Sequence, residues 1–206
     1  MEGMQEQTSV NTMENPSVPS DTAIPSRIKQ EEWIKVYSEK SEAELQSQTD
    51  SNSQSDDSND GKREDFRGKW LLFHDKELVE EENGMTQHDI AWQFIKELVE
   101  KGEIYAASCS TACKGYYATK FGMDSGVICC YTKDYTDKQD VKRVADAIRR
   151  VYSYPKDLYY KTDNDTHAHV YRHLGDRRVS IYKHTVKNEM YERDPVIRNQ
   201  WNIINV

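Results

Sequence analysis

No stretch of this 206-residue chain approaches the ~18–20 consecutive apolar residues of a membrane-spanning helix, so no span is expected. The start, MEGMQEQTSV, has neither a basic run nor an apolar core, and no secretory leader is expected there. Cysteine is scarce. The four are Cys109, Cys113, Cys129 and Cys130, with no C-x-x-C pair. They read as reduced, core-filling thiols, which predicts a cytoplasmic or nuclear protein. Without export, the sequon Asn164-Asp165-Thr166 carries no meaning. A nucleophile elbow, a glycine-rich oxyanion loop and a Walker-type phosphate loop are all missing, which argues against the common hydrolase and nucleotide-hydrolase signatures.

Large apolar side chains are almost missing from residues 1–26. Residues 38–65 hold one leucine and no aromatic. Neither segment can bury enough surface to offset the entropy of ordering. The expectation is a disordered tail over 1–26 and an acidic low-complexity linker over 38–65, with Ser55 and Ser58 as candidate kinase sites. The charge is divided accordingly. Residues 1–60 carry 4 Lys and Arg against 13 Asp and Glu, whereas 141–206 carry 13 against 8. The basic C-terminal part suits phosphate or RNA, and the alternative is an ordinary mixed surface.

Between tail and linker lies RIKQEEWIKVYSEK. Its Ile28, Trp33, Ile34 and Tyr37 fall on a helical face, so a short helical arm is expected over 27–37. It either packs on the domain or docks a protein partner through Trp33, Ile34 and Tyr37. The folded domain is expected over 66–206. KWLLFH (69–74) reads as a strand. Thr86 caps a helix running to about Lys101, with Ile90, Phe94, Ile95, Leu98 and Val99 as its stripe and Gly102 as its stop. EIYAASCS (103–110) and the apolar run VICCY (127–131) read as strands. Thr136 to Gln139 reads as a capping box opening a helix with Val141, Val144, Ala145 and Ile148 inward. Strands are expected over 157–161, 167–173 and 178–184, with Leu174-Gly175-Asp176 as a hairpin turn between the last two. The tail holding Trp201 should pack. This order predicts an α+β fold, a curved and mainly antiparallel sheet backed by helices.

Four segments carry a resemblance: GKWLLF (68–73), ASCSTA (107–112), VICCYTKDYTDKQDVKRV (127–144) and LYYKTDNDTHAHVYR (158–172). Together they resemble the basophilic-leukaemia-expressed protein family, over roughly Trp33 to Thr185. The most specific pieces are YTKDYTD (131–137) with Asp140-Val141, and Tyr159-Tyr160-Lys161 with Asp163 and Thr166. The resemblance implies a fold like that of cap-binding translation initiation factor 4E. It implies no established enzyme activity, and a loose association with RNA.

Candidate sites follow from residue types. THAHVYRH (166–173) gathers three of six histidines. On a strand, His167, His169, Tyr171 and His173 share a face, opposite Ala168, Val170 and Arg172. Positions i and i+4 lie about 13 Å apart, so at most two of these histidines can meet one ion. No metal or cofactor is expected. A hydrolase using this face, or Cys109 or Ser110 paired with a histidine, is the minor alternative. Cap recognition would need two rings around a cationic base and a nearby carboxylate. No Trp-Glu pair lies on a loop, and Trp70 and Trp92 read as core.

The main candidate is a basic and aromatic sheet face. Its basic side chains are Lys161, Arg172, Arg177, Arg178, Lys183 and Lys187, interleaved with tyrosines 159, 160, 171 and 182. Basic groups track phosphates while rings accept bases. The expected nucleic-acid contacts are Lys161, His167, His169, Tyr171, Arg172, His173, Arg178 and Lys183. The reading is a non-enzymatic protein binding RNA or a nucleotide. A protein-interaction module is the alternative.

Overall fold

The computed structural model describes residues 23–41, 43, 65–75, 84–115, 119–120, 125–197 and 199–206. The expected tail up to residue 22, and linker residues 42 and 44–64 with Ser55 and Ser58, lie outside the described residues.

The expected helix over 27–37 is instead a 3-10 turn, Pro25–Arg27, followed by strand β1, Trp33–Tyr37. Trp33, Lys35 and Tyr37 alternate with Ile34 and Val36, a period of two that a sheet edge satisfies better than a helix. The segment is held from several sides. The Thr111 amide donates to the Glu32 carbonyl at 3.0 Å, and the Ser26 amide donates to Asp89 Oδ1 at 2.8 Å. The folded unit therefore begins well before residue 66.

The other elements are β2 (Gly68–Asp75), α1 (Gln87–Glu100), β3 (Ala106–Ser110), β4 (Ser125–Thr132), α2 (Lys138–Val151), β5 (Leu158–Thr162), the single turn α3 (Asp163–His167), β6 (Tyr182–His184), β7 (Met190–Arg193) and β8 (Trp201–Ile204). The strands form one sheet in the order β1-β3-β4-β2-β5-β6-β7-β8. Every neighbouring pair is antiparallel. This is the expected α+β arrangement.

Alternation assigns the two faces of the sheet. Trp70 and Leu72 of β2, Ile128 and Cys130 of β4, and Leu158 and Tyr160 of β5 are fully buried beneath α1 and α2. The indole N–H of Trp70 donates to the Val141 carbonyl at 2.8 Å, tying sheet to helix. Helix α1 opens on the expected cap. Thr86 Oγ1 accepts from the Asp89 amide, and Asp89 Oδ2 accepts from the Thr86 amide at 2.9 Å. Its inward stripe runs through Ala91, Trp92, Ile95, Leu98 and Val99, with Ile90 and Phe94 half-buried at its edge.

Four local expectations are corrected. Helix α2 is capped by Asp137, which accepts from the Asp140 amide, because Asp134 engages the Thr136 hydroxyl and amide. Residues 167–173 are no strand. Thr162 Oγ1 caps α3 by accepting from the Asp165 amide at 3.0 Å, and the short polar residues Asp163, Asn164 and Asp165 favour that turn. Gly175, at φ +98°, closes a 3-10 turn over Arg172–Leu174 rather than a hairpin. The strand expected over 178–184 is only β6. The tail packs as expected, as the hairpin β7–β8.

None of the four cysteines forms a disulfide. Among the described residues, no helix is long and apolar enough to cross a membrane.

Candidate ligand-binding face

Opposite the helices, the sheet carries a different chemistry. Register sets Tyr131 of β4 beside Lys69 of β2, and Lys69 beside Lys161 of β5. A second row runs Leu71, Tyr159, Lys183, Tyr191, Ile203 across β2, β5, β6, β7 and β8. Arg193 and Trp201 pair across β7 and β8. From β5 to β8, cations and rings therefore alternate from strand to strand.

The second row is half-exposed. The ammonium of Lys183 lies 4.7 Å from the Tyr191 ring centre and 5.3 Å from that of Trp201. The guanidinium of Arg193 lies 4.3 Å from the Trp201 ring, and Tyr159 is 6.2 Å from the same ring. Cation–ring attraction holds these groups in place. Burial, followed by the like charges of Arg178 and Arg172, draws Arg193 below the usual arginine value. Arg178 donates to the carbonyls of Pro195 and Asp194. The result is a platform of rings and cations flanked by further arginines.

The first row is covered. Lys69 and Lys161 are only 8% and 3% exposed, so Lys161 is no surface contact. Lys69 pairs with Asp163 at 2.6 Å. Lys161 donates to the Val170 carbonyl at 2.6 Å, and the Tyr171 ring sits 3.5 Å from its nitrogen. Burial, then the charge of Lys69, pushes Lys161 down to about 8.

The remaining expected contacts divide. His167, His169, His173, Arg172 and Arg178 are exposed, but on the segment crossing the sheet rather than on a strand. The histidines therefore share no sheet face, which removes the arrangement that the hydrolase alternative requires. Lys183 belongs to the platform. Trp33 and Tyr37 lie at the opposite edge, on β1, while Ile34 packs against the core.

Sequence reasoning missed Tyr191, Arg193 and Trp201. Their signal is the alternation in MYER and the β-rich run WNII, 7 residues apart between the two strands.

A Cys-His pair does form, between Cys109 Sγ and His88 Nε2 at 3.1 Å. Both are at most 1% exposed within the core, out of a substrate's reach. Among the described residues, no group of three or more His, Cys, Asp or Glu could hold a metal ion.

The family model for the basophilic leukemia-expressed protein Bles03 matches residues 61–169. Among solved structures, the complex of C. elegans eIF4E-3 with the 4E-binding protein Mextli and a cap analog is similar. The match has 18% identity and a TM-score of 0.37, and covers 50% of this chain and 54% of that one. The chain thus spans about half the length of that relative. No curated protein matches.

Proposed function

The chain belongs to the basophilic leukemia-expressed protein Bles03 family, and from that premise we propose a non-enzymatic protein that binds single-stranded RNA or a nucleotide on the sheet face opposite α1 and α2. One observation carries the reading: Lys183 and Arg193 stand in register with Tyr159, Tyr191 and Trp201 on a half-exposed face. Rings offer π-faces to bases, and neighbouring cations offer charge to phosphates. Arg172 and Arg178, with His167, His169 and His173 on the crossing segment, extend the basic rim. The test is fluorescence anisotropy of a short labelled single-stranded RNA with the full chain, beside Lys183→Glu and Trp201→Ala. Loss of binding in both supports the face. Equal binding in all three proteins removes it.

A second reading, a protein-docking module, rests on β1. This strand lies at an edge of the sheet and carries Trp33, 40% exposed. Edge strands offer backbone groups to an added strand. Trp33→Ala with unchanged co-purifying partners would count against it.

A further inference from the structure

Beyond the exposed platform, a second feature of the same sheet face has no role in the proposed function. Lys69 and Lys161 are direct cross-strand neighbours, and both are almost wholly buried. Side chains directly opposite on one face lie within about 5 Å at Cβ, so two ammonium groups share one small region. Like charges so placed repel, and each loses hydration. Asp163 bonds Lys69. Lys161 has a neutral carbonyl, that of Val170, with Asp165 and Asp176 acting at longer range.

What covers Lys161 is the loop that follows α3. The amides of Ala168, His169, Val170, Leu174, Gly175 and Asp176 donate to carbonyls between Asn164 and Arg172. The Tyr171 amide donates to Asp176 Oδ2. The bonds of Tyr171, Leu174, Gly175 and Asp176 stay within the loop, while those of Ala168, His169 and Val170 tie its first residues to α3. Its two ends carry left-handed backbone, His169 at φ +54° and Gly175 at φ +98°. For a non-glycine residue such as His169 this conformation stores strain. A cleft beside the loop is lined by Asp165, Val170, Asp176, Arg177, Arg178 and Val196, and so sets two arginines in one lining with Val170.

We propose that Lys69 and Lys161 form a phosphate-binding site beneath the loop spanning residues 168–176, entered past Arg177 and Arg178. A phosphate oxygen takes the place of the Val170 carbonyl on Lys161, and a second oxygen shares Lys69 with Asp163. Residues 171–176, closed on themselves, swing about the join to α3 and carry Asp176 away from the anion. Lysine suits this task as a compact point charge. Tyr171, now over the ammonium, is the part of the cover that must move. Because Lys161 titrates near 8, the site weakens as pH rises through that value.

The test is thermal melting of the full chain in inorganic phosphate against chloride at matched ionic strength, with phosphorus NMR line broadening as a second readout. A ligand bound only by the folded state raises the melting temperature. The expected result at about pH 7 is a higher melting temperature in phosphate, and loss of that difference at about pH 9. Lys161→Met should abolish the phosphate shift while melting in chloride at the wild-type temperature or above, since a buried charge is gone. Lys183→Glu should keep the shift, so this site and the exposed platform fail separately. A nucleoside monophosphate added in parallel distinguishes a phosphate ester from free phosphate. Equal melting in phosphate and chloride with unbroadened phosphorus signals overturns the proposal. So does a shift that survives Lys161→Met. If Lys161→Met fails to fold, the wild-type line broadening at the two pH values decides.

Discussion

His184 Nε2 lies 2.9 Å from Asp146 Oδ1, a bond that joins strand β6 to helix α2. Arg149 donates its Nε–H to the other ring nitrogen, Nδ1, at 3.0 Å. Nδ1 is thereby the acceptor, and the hydrogen-bond network assigns the proton to Nε2, aimed at the carboxylate. The ring is fully buried, and burial lowers its pKa although Asp146 pulls the other way. A neutral histidine with both nitrogens engaged thus locks the helix to the sheet, edge-on to Trp70.

Arg149 is the centre of that lock. Beyond Nδ1, it donates to the carbonyls of Tyr154, Lys156 and His184 at 3.0, 2.9 and 2.9 Å. Arg149→Ala leaves four acceptors without this donor, two of them on the buried His184. The expected cost is about 2–4 kcal/mol, read as a lower midpoint in urea at unchanged slope. A wild-type midpoint would mean the lock contributes nothing to stability.

His74 should make the fold acid-sensitive. It is 5% exposed, ringed by His88, Tyr152 and Tyr154, and neither of its ring nitrogens has a hydrogen-bond partner. Burial, then the neighbouring His88, pushes it down to about 4. The unfolded chain takes up its proton near 6.5. Stability contributed by neutral His74 is therefore full above about pH 6.5 and is lost as pH falls towards 4, by about 3 kcal/mol. His184 acts in the same direction. His74→Phe should flatten this acid limb in urea titrations at a series of pH values. An unchanged limb would assign the effect to other groups.

Gly68→Ala should destabilise through overpacking. A Cβ at Gly68 would come within 2.5 Å of the Tyr160 ring, and Tyr160 is fully buried against Trp70. The ring has no room to yield, so the expected loss is about 1–3 kcal/mol in denaturant. Wild-type stability would show that the β2–β5 contact can relax.

On the platform, Trp201 and Lys183 should contribute differently to RNA binding. Trp201→Ala removes a stacking surface, an expected loss of about 1–3 kcal/mol at every salt concentration. Lys183→Gln removes one charge, which should lower the slope of log affinity against log salt by roughly 0.7. If both variants change only the intercept, Lys183 does not meet a phosphate.

The long periodic elements were legible without coordinates. Helices α1 and α2 each repeat apolar residues on one stripe, and β2 and β4 each read as a single apolar strand. Their burial needs only one face or one run, which local sequence encodes. Segments of weak or mixed periodicity misled. The 27–37 stretch shows apolar spacing compatible with a helix, yet pairing with β3 supplies hydrogen bonds that an isolated arm would lack. The 167–173 stretch alternates like a strand, yet the Thr162 cap and the left-handed His169 turn it away from the sheet. That change dissolved the histidine face and buried Lys161 beneath Tyr171.

By itself the sequence determined the α+β class, the strands and helices of the central core, the core roles of Trp70 and Trp92, and a C-terminal part rich in cations and rings. Each follows from local pattern and composition. Only the tertiary structure decided which cations meet which rings. Lys183, Arg193 and Trp201 come together through the register of three short strands, and Lys69 meets Lys161 from 92 positions away in the sequence. Cross-strand register arises from the packing of the whole sheet, and no single segment carries it.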